Sequence, residues 1–284
     1  MSITLLLNAI SATLILVLVA LGLIIIFGLM GVINMAHGAF FAIGAYTAWV
    51  TATVLEINFW SSLILAPIVV GAVGYIVEVT VVKRLYEEPM KSILATWGIY
   101  LMFTELIKIT AGSQNKTVEN PLQGSIDIGI ATFPSYRIFL IFFSIAVVAI
   151  VFIILDQTNT GIRIRAVMQD KEAAPLLGVN RKQTYRYTFV GGTALAGLAG
   201  AAVAPIVAVS PNMGVTYLVD SFLAIILGGT NVLIGIVPGS AVVAGLSNYL
   251  TFSINPVQAQ LLVYVLVIGL IIIRPQGLLG NKND

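Results

Sequence analysis

Residues 2–55 read SITLLLNAISATLILVLVALGLIIIFGLMGVINMAHGAFFAIGAYTAWVTATVL and contain no Asp, Glu, Lys or Arg. A transmembrane helix needs about 20 consecutive apolar residues, so this stretch has room for two. No basic region precedes it, and it does not read as a secretory signal peptide. Further uncharged runs cover residues 57–77, 92–104, 138–155, 187–219 and 221–273, the last long enough for two or three passes. The pattern predicts an all-α polytopic membrane protein. It forms a bundle of about eight or nine transmembrane helices, organised as a single transmembrane domain over residues 1–284. Composition agrees: 59% of the residues are hydrophobic, 9% are charged, and the mean hydropathy is +1.03. A soluble domain carries about 25% charged residues. A soluble enzyme, a nucleic-acid binder and a disordered chain are thereby excluded. With no cysteine and one histidine, disulfides, thiolate chemistry and a multi-histidine metal site are excluded as well.

Basic residues set the orientation, since cytoplasmic loops carry the excess of Lys and Arg. Lys83, Arg84 and Lys91 form one cluster; Arg163, Arg165, Lys171, Arg181, Lys182 and Arg186 form a second; Arg274 and Lys282 lie at the C-terminus. All are cytoplasmic if even numbers of spans separate them. The loop over residues 112–136, rich in Asn, Gln, Ser and Gly, then faces outward, as does the N-terminus. Glu105 and Lys108 are three residues apart and predict a local ion pair on one helix. Glu78 is expected near the inner interface.

Two stretches interrupt the apolar runs. GLMGVINMAHG at residues 28–38 combines three glycines with Asn34 and His37, a poor continuous helix. Irregular backbone persists at membrane depth only when protein buries it or it lines a wet cavity. The segment is thus a broken helix along a substrate path or a cytoplasmic turn. The second stretch, GGTNVLIGIVPG at residues 228–239, offers Asn231 in the same two roles. Asp220 lies between apolar runs and either anchors an interface or faces a polar pathway, because a mid-bilayer carboxylate costs about 2.5–3.5 kcal/mol on insertion scales. Gly192, Ala196, Gly200 and Ala204 recur every fourth residue and predict a small-residue packing stripe, with pore wall as the other role. Asn255 and Pro256 read as a loop and helix start. The longest polar segment, residues 156–186, is basic and carries a short helix ended by Gly178 around Glu172, Ala173 and Ala174, suited to docking in a groove on a partner.

Taken together, GVINMAHG (31–38), GAY (44–46), TGIRIRA (160–166), Ala173, Ala174, Gly178 with Val179, and RPQGL (274–278) resemble the permease subunits of ABC importers for branched-chain amino acids and urea. The resemblance implies a bacterial inner-membrane permease that pairs with a second, homologous permease. Two cytoplasmic ATPases and a periplasmic or extracellular substrate-binding protein complete the importer, with membrane lipid around it. Residues 156–186, and Arg163, Arg165, Glu172, Ala173, Ala174 and Gly178 within them, would couple ATPase closure to access. No Walker A sequence occurs in the chain, so ATP and Mg are used by partner subunits and this chain binds no cofactor. LATWG (94–98), GSQN (112–115) and VDSF (219–222) are similar to the urea branch. They add Thr96 and Trp97 to Asn34, His37, Asp220 and Asn231 as path candidates. They also imply a small neutral polar solute, urea, with a branched-chain amino acid as the alternative. A self-sufficient channel or ion-coupled carrier using Asp220 and His37 is a third reading, disfavoured by the large basic loop. A membrane-embedded enzyme ranks last, since no cluster of nucleophile, acid and base is present.

Overall fold

The computed structural model describes residues 2–86, 88–127, 132–229 and 233–279. The helices are α1 (Ser2–Met30), α2 (His37–Trp49), α3 (Ser62–Thr80), α4 (Pro89–Ala111), α5 (Ser135–Gln157), α6 (Asn159–Gln169), α7 (Ala173–Leu176), α8 (Arg181–Val203), α9 (Met213–Gly228), α10 (Ile236–Ser240), α11 (Leu246–Leu250) and α12 (Pro256–Ile273). A π turn, Val50–Val54, extends α2, and another, Ala241–Gly245, joins α10 to α11. Among the described residues six helices are long and apolar enough to cross a membrane. Two shorter apolar helices, Met213–Gly228 and Ile236–Leu250, accompany these six.

Side-chain chemistry sets many helix boundaries. The carboxamide oxygen of Asn180 accepts from the Gln183 N–H at 3.1 Å and caps α8, and Asn255 does the same for Val257 at 2.9 Å at the start of α12. Pro256 occupies the first turn of α12, where its missing N–H costs nothing. The Thr158 hydroxyl caps α6 through the Gly161 N–H. One departure from an all-α chain is a short antiparallel hairpin between α4 and α5, β1 (Ser125–Asp127) with β2 (Thr132–Pro134), pairing Ile126 with Phe133. Lys116 and Val209 also exchange two backbone hydrogen bonds, at 2.8 and 2.9 Å.

Helix α8 is the hub, packed against α1, α2 and α3. Lipid tails are as apolar as leucine, so helices associate in a membrane through close packing of small residues. A Cβ added to Gly192 would stand 2.6 Å from the carbonyl oxygen of Gly22, and one at Gly200 would stand 2.0 Å from that of Phe41. Ala196 and Ala204 are fully buried. Gly197 presents a second close approach toward Ala66 and Val70 of α3. The outer faces of α3, α4, α5 and α12 expose Ile76, Ile109, Phe142 and Ile272, as a lipid-facing or subunit-facing surface does.

Candidate translocation and coupling sites

Helix α1 ends at Met30, and Gly31, with φ +63°, turns the chain back. Residues 31–34 then run without regular structure, and a turn closed by the His37 N–H on the Asn34 carbonyl at 3.2 Å leads into α2. The imidazole Nε2 of His37 lies 3.1 Å from the carbonyl oxygen of Val19; a carbonyl only accepts, so Nε2 carries the proton. Val19 sits 11 residues before the end of α1, about 16 Å at 1.5 Å per residue. Helix α2 therefore restarts about halfway along α1 instead of at its C-terminal end, and the interruption is a re-entrant break rather than a surface turn. The Thr96 hydroxyl of α4 receives the Met35 N–H at 3.1 Å, and Asn34 Oδ1 accepts from the Ala36 N–H at 3.1 Å. These contacts satisfy backbone groups that lipid could not. Asn34, His37 and Thr96 are fully buried. Asn34 Nδ2 and His37 Nδ1 meet no partner among the described residues.

The first turn of α2 meets the first turn of α9. A Cβ on Gly38 would lie 2.6 Å from the carbonyl oxygen of Gly214, and one on Gly214 would lie 2.0 Å from that of Gly38. Phe41 and Tyr217 pack just beyond with tilted rings, centroids 4.5 Å apart and planes at 39°. Sequence reading did not single out Gly38 with Gly214 as a pair, since 176 residues separate them and only their backbones touch.

Trp97 and Asp220 lie away from this break. Trp97 is 37% exposed on the outer face of α4 and stacks on Tyr100 with centroids 5.1 Å apart. It does not join Asn34, His37 and Thr96, because one residue along a helix rotates the side chain by about 100°. Asp220 of α9 instead faces α12, where Tyr264 donates its hydroxyl to Oδ1 at 2.8 Å. Gln260 donates to the Tyr264 oxygen at 2.7 Å. They border a cavity of about 190 Å3 that Ser247, Asn248 and Thr251 also line. Asn231 lies outside the described residues. Glu105 and Lys108 form their ion pair at 2.6 Å.

On the basic side, α6 and α7 fold the long loop into a compact unit. Two backbone N–H groups, of Ala173 and Glu172, hydrogen bond to Oδ1 of Asp170 at 2.9 and 2.8 Å. They hold its carboxyl below the usual carboxylate range. Gly178, at φ +82°, ends the unit. Ala174 is turned inward into a cluster with Ile164, Val167, Val82 and Tyr185, and Ala173 is half-buried. Arg163 and Glu172 are exposed, and Arg165 donates to the carbonyl oxygens of Leu155 and Asp156 at the end of α5. The most exposed apolar side chains of the unit are Leu176 and Leu177, at 87% and 83%, ahead of Ile162 and Met168 of α6.

An ion pair that the sequence did not reveal fastens this side. Glu78 of α3 is fully buried and accepts from Arg186 Nε of α8 at 2.8 Å, and the Tyr86 hydroxyl donates to its other oxygen. Because Glu78 adjoins the first basic cluster and Arg186 belongs to the second, the contact places both clusters on one side of the bundle. Glu78→Ala leaves Arg186 without its counter-charge. The expected loss is about 2 kcal/mol, below the ~3–5 kcal/mol of a fully buried pair, because Arg186 stays one-third exposed. A lower unfolding temperature in detergent checks it, and an unchanged one refutes it.

A bundle of apolar helices, with α2 restarting partway along α1, defines a multi-pass membrane protein. Residues 5–273 match the family described as branched-chain amino acid transport system / permease component, and the chain belongs to that family. It is 24% identical to the high-affinity branched-chain amino acid transport system permease protein BraD of Pseudomonas aeruginosa, over 94% of this chain and 92% of that one. It is 25% identical to LivH of Escherichia coli K12, over 94% and 91%. LivM of Salmonella typhimurium is 26% identical, over 94% of this chain and 68% of LivM. The solved PsaBC structure from Streptococcus pneumoniae shares the fold, with a TM-score of 0.51 at 14% identity over 95% and 91% of the two chains. The names of these sequence relatives carry branched-chain amino acids, and the urea branch finds no support among them.

Proposed function

We propose that the chain is one transmembrane permease subunit of an ATP-driven ABC importer of branched-chain amino acids in the bacterial plasma membrane. The observation that carries this reading is the end-to-end match, over residues 5–273, to a family whose named relatives move these substrates. Likeness to both LivH and LivM supports pairing with a second permease of the same fold. Two ATPases that use ATP and Mg, and an external binding protein, complete the assembly. The α6–α7 unit is the ATPase-coupling element, with Leu176 and Leu177 as its contact and Ala174 and Gly178 shaping it; Arg163, Arg165, Glu172 and Ala173 belong to the same unit. The buried break at Asn34, His37 and Thr96 lies beside the path and holds α2 at depth, while the Gly192, Ala196, Gly200 and Ala204 stripe packs the hub.

The test is reconstitution of the complete importer in vesicles with labelled solutes at low external concentration. ATP-dependent accumulation of leucine, and none of urea, is the expected result. Accumulation of urea with leucine ignored would replace the substrate assignment.

A further inference from the structure

We propose that the cavity between α9, α11 and α12 is a binding point for the ammonium group of the transported amino acid, with Asp220 as its counter-charge. This rests on the proposed import of branched-chain amino acids and names a contact for that substrate. Tyr264 is the ninth of the eighteen residues of α12, so its contact with Asp220 lies near the middle of that helix. An ionised carboxylate accepts hydrogen bonds only. Oδ1 is taken by Tyr264, whose oxygen is in turn taken by Gln260. Among the described residues, no hydrogen bond or ion pair occupies Oδ2. A carboxylate in hydrocarbon is expensive and faces a partner or a wet cavity. Here the described residues supply a cavity, and no cationic side chain lines it.

The cavity's chemistry narrows the guest. Its volume, about 190 Å3, far exceeds the ~10–15 Å3 that a single water needs. Asn248 and Gln260 offer neutral polar groups, while Ala12 and Val243 form an apolar wall. A guest with a small cationic end beside an aliphatic side chain matches this lining. Urea, with no charge, would leave Oδ2 without a charged partner.

The test uses the complete importer in vesicles, with Asp220→Asn and Tyr264→Phe in this chain. Asp220→Asn keeps the shape and removes the charge. Leucine uptake should fall roughly tenfold or more, the scale of a lost charge-assisted hydrogen bond. Tyr264→Phe should fall less, and Asp220→Glu should recover part of the rate. A separate readout needs no transport. The chain has no cysteine, so Ser247→Cys gives it a single thiol on the cavity wall. A cationic methanethiosulfonate should modify this thiol faster than an anionic one, and adding Asp220→Asn should remove that preference. If wild-type vesicles accumulate leucine and Asp220→Asn matches them, or if the reagent preference ignores Asp220, the site is wrong and the import reading stands. If wild-type uptake requires sodium and Asp220→Asn abolishes only that requirement, the cavity holds an inorganic cation and the proposal falls. If wild-type vesicles accumulate no branched-chain amino acid, the import reading fails and takes the site with it.

Discussion

A Leu176→Asp, Leu177→Asp double variant is expected to insert in the membrane, to lose co-purification with the ATPases, and to lose more than about tenfold of its uptake. The two leucines are 87% and 83% exposed at the end of α7, so the substitution disturbs little within the chain itself. Fully burying a leucine contributes about 1.5–3 kcal/mol. Two such side chains at the centre of a docking contact form the kind of apolar anchor on which an interface depends. Replacing them with carboxylates removes that burial and adds two charges to be desolvated. Normal assembly and normal transport would sink the docking assignment. Ala174→Arg probes something else. Ala174 is 2% exposed, and an arginine there would force α7 off its own supporting cluster and destabilise the loop before any partner is met.

Gly200→Leu is expected to lower both yield and unfolding temperature sharply. The added Cβ would sit 2.0 Å from the Phe41 carbonyl oxygen and 2.9 Å from the Ala45 nitrogen. Both are backbone atoms, so α2 would have to move away from α8. Overpacking a well-filled core costs about 1–3 kcal/mol and occasionally more; a rigid backbone neighbour places this site at the upper end or beyond. Gly191→Leu is the matched control. Its Cβ direction is open, with nothing within 4 Å, and the same change there should be close to neutral. Equal stability of the two variants would show that α2 and α8 do not depend on their close approach. The comparison separates packing from the general preference for small residues in membrane helices.

How much of this was legible in the sequence depended on whether a property belongs to one segment or to two. The absence of charge over residues 2–55 announces membrane helices, because partition of a segment between water and lipid depends on its own composition alone. The same holds for the basic clusters that set sidedness, for the helix start at Asn255 and Pro256, and for the four-residue spacing of small residues along α8. The interruption at residues 28–38 was also visible, since glycine, Asn34 and His37 are poor helix company. Its depth was not, because that depends on Val19 and Thr96, on two other segments. Tyr264 opposite Asp220, 44 residues away, and Arg186 opposite Glu78, 108 residues away, were equally silent. In lipid an isoleucine facing outward and one facing inward share nearly the same surroundings, so the apolar pattern of a helix does not say which face meets which neighbour. Only the packed bundle decides that, through backbone approach at glycines and hydrogen bonds between helices, and so it alone placed Trp97 outside, Ala174 inside and an unpaired carboxylate oxygen on a polar cavity.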